Sequence, residues 1–409
     1  MLNARRTRQI LFVVLLLSTA ERVTPALAAG IIREHLRLTS SEFGILAGMS
    51  AFGFGFAQFP GGYLADVHGA VRVVRYAALS SAAFAVVFLL APNYPVALLG
   101  RAGFGMSDSL VFIGMMRLAV DSGGGGASEI GKVQAVVGVA FAGAALAGLG
   151  LTGTTFPMVF GALALVQAGM AFIVGAPQAA HGTRRAAAAG WREIVEIATS
   201  RQFWASVLVT TGLFAPFLAW STAWALPYLQ SVVGLSADQA RLVIVGNSLV
   251  VVASAILLGR LSDRLRRRRV VMLAGTAMMM GSWAVLFAIR APVPAVIAIA
   301  LTSLACAAFP ASSSSLALAK ESFRQDRAGT VLGLANVTSS IGASLLGAAV
   351  GLVLDSQWHG AVAQGLRVYP VSAYMLVPAV LCAGSALAVI GVLLARETHA
   401  DQVPAPAPP

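Results

Sequence analysis

The chain has 409 residues, 58% of them hydrophobic and 11% charged, with a formal net charge of +12 and a mean hydropathy of +0.83. Soluble domains average about 45–50% apolar and about 25% charged residues, so this composition cannot cover a soluble surface. It excludes a cytosolic enzyme, a secreted disulfide scaffold and a disordered chain. It leaves an all-α integral membrane protein, because the continuous apolar runs fit spanning helices of about 20 residues rather than alternating barrel strands.

Twelve apolar segments follow one another, at 9–31, 43–65, 73–91, 95–119, 131–152, 155–177, 203–230, 240–262, 269–290, 293–319, 328–354 and 371–395. Arg5, Arg6 and Arg8 precede the first, and with Ala26-Leu-Ala28 this stretch imitates a secretory signal. Its removal would leave eleven spans and reverse every later loop, so it is expected to remain as span 1. The one long loop, 178–202, holds Trp191-Arg-Glu-Ile-Val-Glu-Ile197, the pattern of an amphipathic helix lying on the membrane surface. The expected organisation is two pseudo-symmetric six-helix bundles, 1–177 and 203–396, joined by the connector 178–202. The Pro/Ala-rich tail 397–409 is expected to be disordered.

Arginine placement tests this count. With both termini in the cytoplasm, 21 of the 28 Lys and Arg fall on that side and 5 on the other, while Arg22 and Arg101 lie inside spans. Such a positive-inside bias points to a multi-pass protein of the cell (inner) membrane, and it explains the net charge without nucleic acid as a partner. Cys306 and Cys382 sit in apolar runs and read as small hydrophobes. The five His occupy loops or tails, and no nucleotide-binding loop or catalytic motif occurs. No enzyme activity, cofactor or metal is therefore expected, and energy has to come from a gradient.

Four ionisable residues fall within spans: Glu21 and Arg22 in span 1, Arg101 and Asp108 in span 4. Each costs roughly 2.5–3.5 kcal/mol at a helix centre if left unpaired. They must face a cavity or one another. Arg101 and Asp108 are seven apart and share a helix face, whereas Glu21 and Arg22 point about 100° apart. Arg22 and Arg101 are candidates to bind an anionic group bidentately, and Glu21 and Asp108 are candidates to carry a proton. The competing reading makes Arg101–Glu21 or Arg22–Asp108 internal ion pairs that fix packing. Pro25 opens a further possibility, a helix break that frees backbone groups. Trp224 in span 7, Asn247 in span 8 and Asn336 in span 11 are candidate substrate contacts; the asparagines are equally suited to hold helices together.

The loop after span 2 reads Gly62-Tyr-Leu-Ala-Asp66-Val-His-Gly69-Ala-Val-Arg72, and the loop after span 8 reads Gly259-Arg-Leu-Ser-Asp263-Arg264-Leu-Arg266. Asp66 and Asp263 lie 197 residues apart, about half the chain. The duplicated pattern resembles the G-x-L-a-D-r-x-G-r-[kr] signature of the major facilitator superfamily, and Arg101-Ala-Gly-Phe-Gly105 resembles its R-x-x-x-G motif. Arg22-Val-Thr-Pro25 and Trp224-Ala-Leu-Pro227-Tyr228-Leu resemble a bacterial branch grouped with sugar-phosphate and nitrate permeases. Two departures stand out: Val67 replaces an arginine in the first copy, and Arg266 replaces a glycine in the second.

The resemblance implies a fold of twelve helices and a conformational latch at Gly62, Asp66, Gly69 and Arg72, repeated at Gly259, Asp263 and Arg264. In the latch an aspartate meets a neighbouring helix start and arginines pair across the seam between the halves. The implied function is secondary active transport by alternating access, with a small polar or anionic organic solute and protons as partners in a monomer within the lipid bilayer. The rivals are a proton-driven drug exporter with an aromatic cavity and a transporter-like solute sensor that binds without flux.

Overall fold

Apolar length and end signals set the helices of the computed structural model, which describes residues 4–121, 127–173, 191–289, 293–323, 328–363 and 366–397. The first half comprises α1 (Ala4–Leu27), α2 (Ala29–Leu36), α3 (Ser40–His68), α4 (Ala70–Leu89), α5 (Tyr94–Asp121), α6 (Ala127–Ala147) and α7 (Thr155–Ile173). The connector contributes α8 (Trp191–Thr199). The second half begins with α9 (Arg201–Ala219), a π-turn (Trp220–Trp224) and α10 (Ala225–Ser231), then α11 (Ala237–Leu265) and α12 (Arg268–Ala288). It continues with α13 (Ala295–Ala308), a 3₁₀ turn (Phe309–Ala311) and α14 (Ser312–Glu321), then α15 (Ala328–Ser356), α16 (Val371–Tyr374) and α17 (Val377–Leu394). Two-residue strands β1 (Val362–Ala363) and β2 (Leu366–Arg367) pair antiparallel before α16. Among the described residues ten helical segments are long and apolar enough to cross a membrane, and Ala135–Ala147 is a shorter apolar one. Each of the twelve predicted segments is mainly helical among its described residues.

The repeat is deeper than its loop motif. Thr39 and Glu42 form a capping box at the start of α3, and Ser236 and Gln239 form one at the start of α11. Each cap oxygen satisfies a backbone N–H that the first helical turn leaves without a partner. The 197-residue offset of the two aspartates relates these caps, both ends of the two 29-residue helices, and the residues that follow them, Gly69 and Arg266. Gly69 has φ 84 and Arg266 φ 50. Both copies thus end the helix on a residue of positive φ, Gly69 with ψ 134 and Arg266 in the left-handed helical region with ψ 30.

The helices alternate between two faces. One carries the start of α1 and the end of α17 (the terminal face); the other carries the starts of α3 and α11 (the opposite face). The halves meet where α3 lies along α15 and α6 along α11. Small residues allow the approach: a Cβ on Gly44 would stand 2.7 Å from the Gly347 carbonyl oxygen, and one on Gly48 2.9 Å from that of Ser344. Within the first half, a Cβ on Gly105 would stand 2.0 Å from the Ser50 carbonyl oxygen, where α3 and α5 touch. Gly105→Ala is therefore expected to cost about 1–3 kcal/mol through overpacking. Gly143, with open space beside it, is the control. Its replacement by alanine is expected to be neutral or to gain up to about 1 kcal/mol of helix propensity. Thermal unfolding in detergent compares the two; equal melting of both variants would contradict the tight α3–α5 contact.

The opposite face is sealed across the halves. The Asp355 carboxylate, at the end of α15, accepts from the Ser41 backbone N–H at 2.8 Å and from the Ser41 and Tyr369 hydroxyls. The Tyr369 hydroxyl in turn accepts from the Ser40 backbone N–H at 3.0 Å. Arg241 of α11 donates to the Leu27 carbonyl at 3.0 Å, and the Gly150 N–H donates to Asp238 at 3.1 Å.

Two expectations change. The end of the connector docks on the second half as well as forming a surface helix: Ile197 of α8 is buried with Phe203, Val207, Leu316, Ala319, Val331 and Ala335. Residues 178–190 lie outside the described residues. Glu397, placed by sequence in a disordered tail, is held at the start of α12, accepting from the N–H groups of Arg268 at 2.6 Å and Arg269 at 3.1 Å. A carboxylate is favoured there by the orphan N–H groups and the helix dipole. Residues 398–409 lie outside the described residues.

Candidate functional site

The four intramembrane charges come together between α1 and α5, and all four are buried. Ser18 and Arg22 are four apart and present one face of α1 to Asp108. Both Nε of Arg22, at 2.6 Å, and its Nη2 donate to the Asp108 carboxylate, and the Ser18 hydroxyl donates to its other oxygen. The Arg22 guanidinium also lies 4.3 Å from the centroid of Phe54 on α3. Two guanidinium donors thus meet one carboxylate oxygen and the hydroxyl meets the other, beside an aromatic face; such contacts offset the desolvation of a buried pair.

Arg101 does not pair with Glu21. Its Nη2 donates to the Arg22 backbone carbonyl at 3.1 Å and to the Ser50 hydroxyl at 2.8 Å. Its guanidinium stands 5.5 Å from the rings of Phe88 and Phe104. Its Nε and Nη1 have no acceptor among the described residues, and neither oxygen of Glu21 has a donor. So Arg22 and Asp108 satisfy each other, whereas Glu21 and Arg101 keep unfilled hydrogen-bonding capacity in the same place. Arg101 and Asp108 share the face of α5 that meets α1, as their spacing requires.

Above Arg101, towards the opposite face, a cavity of about 10 Å³ is lined by Pro25, Ala26, Phe43, Leu46, Phe88 and Thr222. That is room for one water. Across the seam the second half offers rings instead of charges. Phe217 and Phe309 stack at 4.2 Å with planes 2° apart, and Phe141 stacks on Phe217 at 5.9 Å. The adjacent π-turn 220–224 packs against α1; such turns recur at functional sites.

The remaining candidates are dispersed. Trp224 is buried in the seal: its indole N–H donates to the Gly347 carbonyl at 3.1 Å and its ring meets Phe43 edge-on at 6.1 Å. Asn247 accepts from Ser303 at 2.6 Å, tying α11 to α13, while its amide nitrogen has no partner among the described residues. Asn336 is half-buried on α15.

In the second motif copy the arginine that meets Asp263 is Arg268, at 2.6 Å; Arg268 also donates to Ser262 at 2.9 Å and to Glu321 at 2.8 Å. Arg264 is exposed. These contacts of Arg268 lie within the second half. Gly259 is buried, and Gly62 and Arg72 are half-buried. The side chain of Asp66 lies outside the described residues. Ser18 and Ser50, which hydrogen-bond the buried ions, escaped the sequence reading. The i, i+4 spacing of Ser18 and Arg22 was the available signal for the first; nothing marked the second.

A family model for the Major Facilitator Superfamily matches residues 10–226 and again 208–409. The chain belongs to the Major Facilitator Superfamily. Each match covers about one half of the molecule, as the repeat does. Similar solved structures include a bacterial homologue of the human lysosomal transporter Spinster, inward-facing and unoccupied, with TM-score 0.77 and 17% identity over 98% of this chain and 99% of that one. The nucleoside transporter NupG aligns with TM-score 0.72 and 14% identity over 95% and 100% of the chains. A D-xylose-proton symporter aligns with TM-score 0.72 and 13% identity over 96% and 98%. At these identities the likeness is one of fold. No curated protein matches the chain in sequence. As a member of the Major Facilitator Superfamily the chain is a multi-pass membrane transporter of small molecules rather than an enzyme.

Proposed function

We propose that this transporter moves a small polar or anionic organic solute together with protons, through a midplane site between the halves. The observation that carries the proposal is the unfilled pair of groups at the α1–α5 contact. Glu21 is buried with no donor for its carboxylate, and Arg101 keeps two buried donors with no acceptor. A buried ionic group without partners costs several kcal/mol, so each has use for something the resting fold does not supply. For Arg101 that is an anionic or acceptor group of the solute, and for Glu21 a proton. The branch resemblance in Arg22-Val-Thr-Pro25 agrees with an anion, and the printed name of the xylose-proton symporter agrees with proton coupling. The exposed arginines of the terminal face, Arg260, Arg264, Arg267 and Arg269, support placing that face in the cytoplasm of an inner membrane. On that assignment the sealed face is the external one, and we take the working unit to be a monomer.

Glu21→Gln in proteoliposomes tests the coupling. A pH gradient is expected no longer to drive accumulation, while solute exchange across the membrane at equal pH persists. Undiminished gradient-driven accumulation would remove Glu21 from the mechanism. The stacked Phe141, Phe217 and Phe309 favour a second reading, export of apolar cations. It predicts that such cations, rather than anions, stabilise the protein against heat and do so equally in Arg101→Ala.

A further inference from the structure

We infer that the opposite face carries a second ligand site, for a small carboxylate with a flat apolar body, held between Arg33 and Arg367. A cavity of about 280 Å³ opens there, lined by Arg33 and Gly30 of α2, Ser231 of α10, the hairpin residue Arg367, and Tyr369 and Tyr374. Its size approaches that of small-molecule sites, which start near 300 Å³. The cavity does not include any of the four charged groups between α1 and α5, and the seal lies between them.

Two cations contribute to its wall, and both keep spare capacity. The Nε and Nη2 of Arg33 form the guanidinium edge that grips a carboxylate bidentately. Both are shut away from water with no acceptor among the described residues. The guanidinium lies over the Tyr369 ring, 5.5 Å from its centroid, on the wall of the cavity. Arg367 approaches Asp355 only to 3.6 Å, beyond a good hydrogen bond. Asp355 itself is already engaged by Ser41 and Tyr369. Trp358 supports the Arg367 guanidinium at 4.3 Å, which fixes its plane. Two positive groups therefore line the cavity, and the carboxylate that Arg367 leans on already accepts from Ser41 and Tyr369. Tyr369 and Tyr374 stand perpendicular, 6.5 Å apart, and supply an apolar corner for the body of the ligand.

Arg33 belongs to the first half and Arg367 to the second, so an anion between them ties the halves together beside the seal. Its occupancy favours the conformation closed on this face. Neither the transported solute nor its coupling ion enters this inference.

Benzoate is the probe and benzyl alcohol its neutral counterpart, titrated into the purified full-length protein in detergent. Trp358 emission and thermal unfolding are followed together. Benzoate is expected to change the emission and raise the melting temperature, with no response to benzyl alcohol. Arg33→Gln and Arg367→Gln are each expected to weaken binding at least tenfold, and Trp358→Phe to remove the emission change while keeping the thermal shift. Arg33→Lys keeps the charge and loses the fork; it is expected to weaken binding less than Arg33→Gln, and it stands in should the latter fail to fold. The inference is overturned if wild type does not distinguish the two probes, if neither arginine variant weakens benzoate, or if the emission change survives in Trp358→Phe.

Discussion

Asp108→Ala is expected to destabilise the protein by about 3–5 kcal/mol, the cost of leaving a buried charge without its partner. Arg22 would keep its charge in a place where only the Phe54 face remains to receive it. The Ser18 hydroxyl would lose its acceptor as well. The double variant Arg22→Met, Asp108→Leu is expected to recover most of that loss, because a well-packed apolar replacement of a buried pair is often neutral or stabilising. Transport is expected to fail in both, since the Arg22–Asp108 pair fixes the stretch of α1 whose carbonyl receives Arg101. Thermal unfolding in detergent separates the two effects. Wild-type melting of Asp108→Ala would mean that the pair contributes nothing to the fold. Equal melting of the single and double variants would mean that the cost comes from a lost contact rather than from an orphaned charge.

Much of this fold was legible because each span had to be apolar along its whole length. The count of twelve follows from that requirement, and the expected bias of 21 of 28 cationic residues to one side constrained it independently. The presence of four charges in two spans was equally plain, and so was the shared face of Arg101 and Asp108. Which charge meets which was not. Arg22 and Asp108 are 86 residues apart and their pairing depends on how α1 leans on α5. That lean rests on tertiary contacts such as Arg101 of α5 against the Arg22 carbonyl of α1, which no spacing announces.

The latch shows the same limit. Sequence put Arg264 beside Asp263 because they are neighbours. The chain turns at Arg266 in a left-handed conformation, and that turn sends Arg268 inward while Arg264 faces solvent. In a run of four arginines from 266 to 269, composition gives no means of choosing the buried one. The capping boxes at Thr39 and Ser236 were readable, since both follow the S/T-x-x-E/Q rule, and they would have extended the repeat to the far ends of α3 and α11. The seal on the opposite face joins residues more than 300 positions apart, Ser41 to Asp355 and Ser40 to Tyr369, so it is a property of the assembled halves alone.

Asp355→Ala is expected to open that face. The carboxylate holds the first turn of α3 through the Ser41 N–H and hydroxyl and holds Tyr369 through its hydroxyl. Opening would return the two Ser41 donors to water, so the net contribution is that of hydrogen bonds to a charged group, about 2–3 kcal/mol in total. Removing it shifts the balance between closed and open by about 30- to 150-fold, since 1.4 kcal/mol is tenfold. Tyr369→Phe breaks a smaller part of the same contact, because Ser41 still reaches Asp355, and should shift the balance less. The readout is labelling of Ala47→Cys, a buried position lining the small cavity under the seal, in a chain with Cys306 and Cys382 replaced by serine. A membrane-impermeant maleimide added on the opposite face should modify this cysteine slowly in the wild-type background and much faster with Asp355→Ala, with Tyr369→Phe between them. Equal rates in all three would place the closing energy in the apolar seam of α3 and α15, at Gly44, Gly48 and Trp224, instead of in the carboxylate.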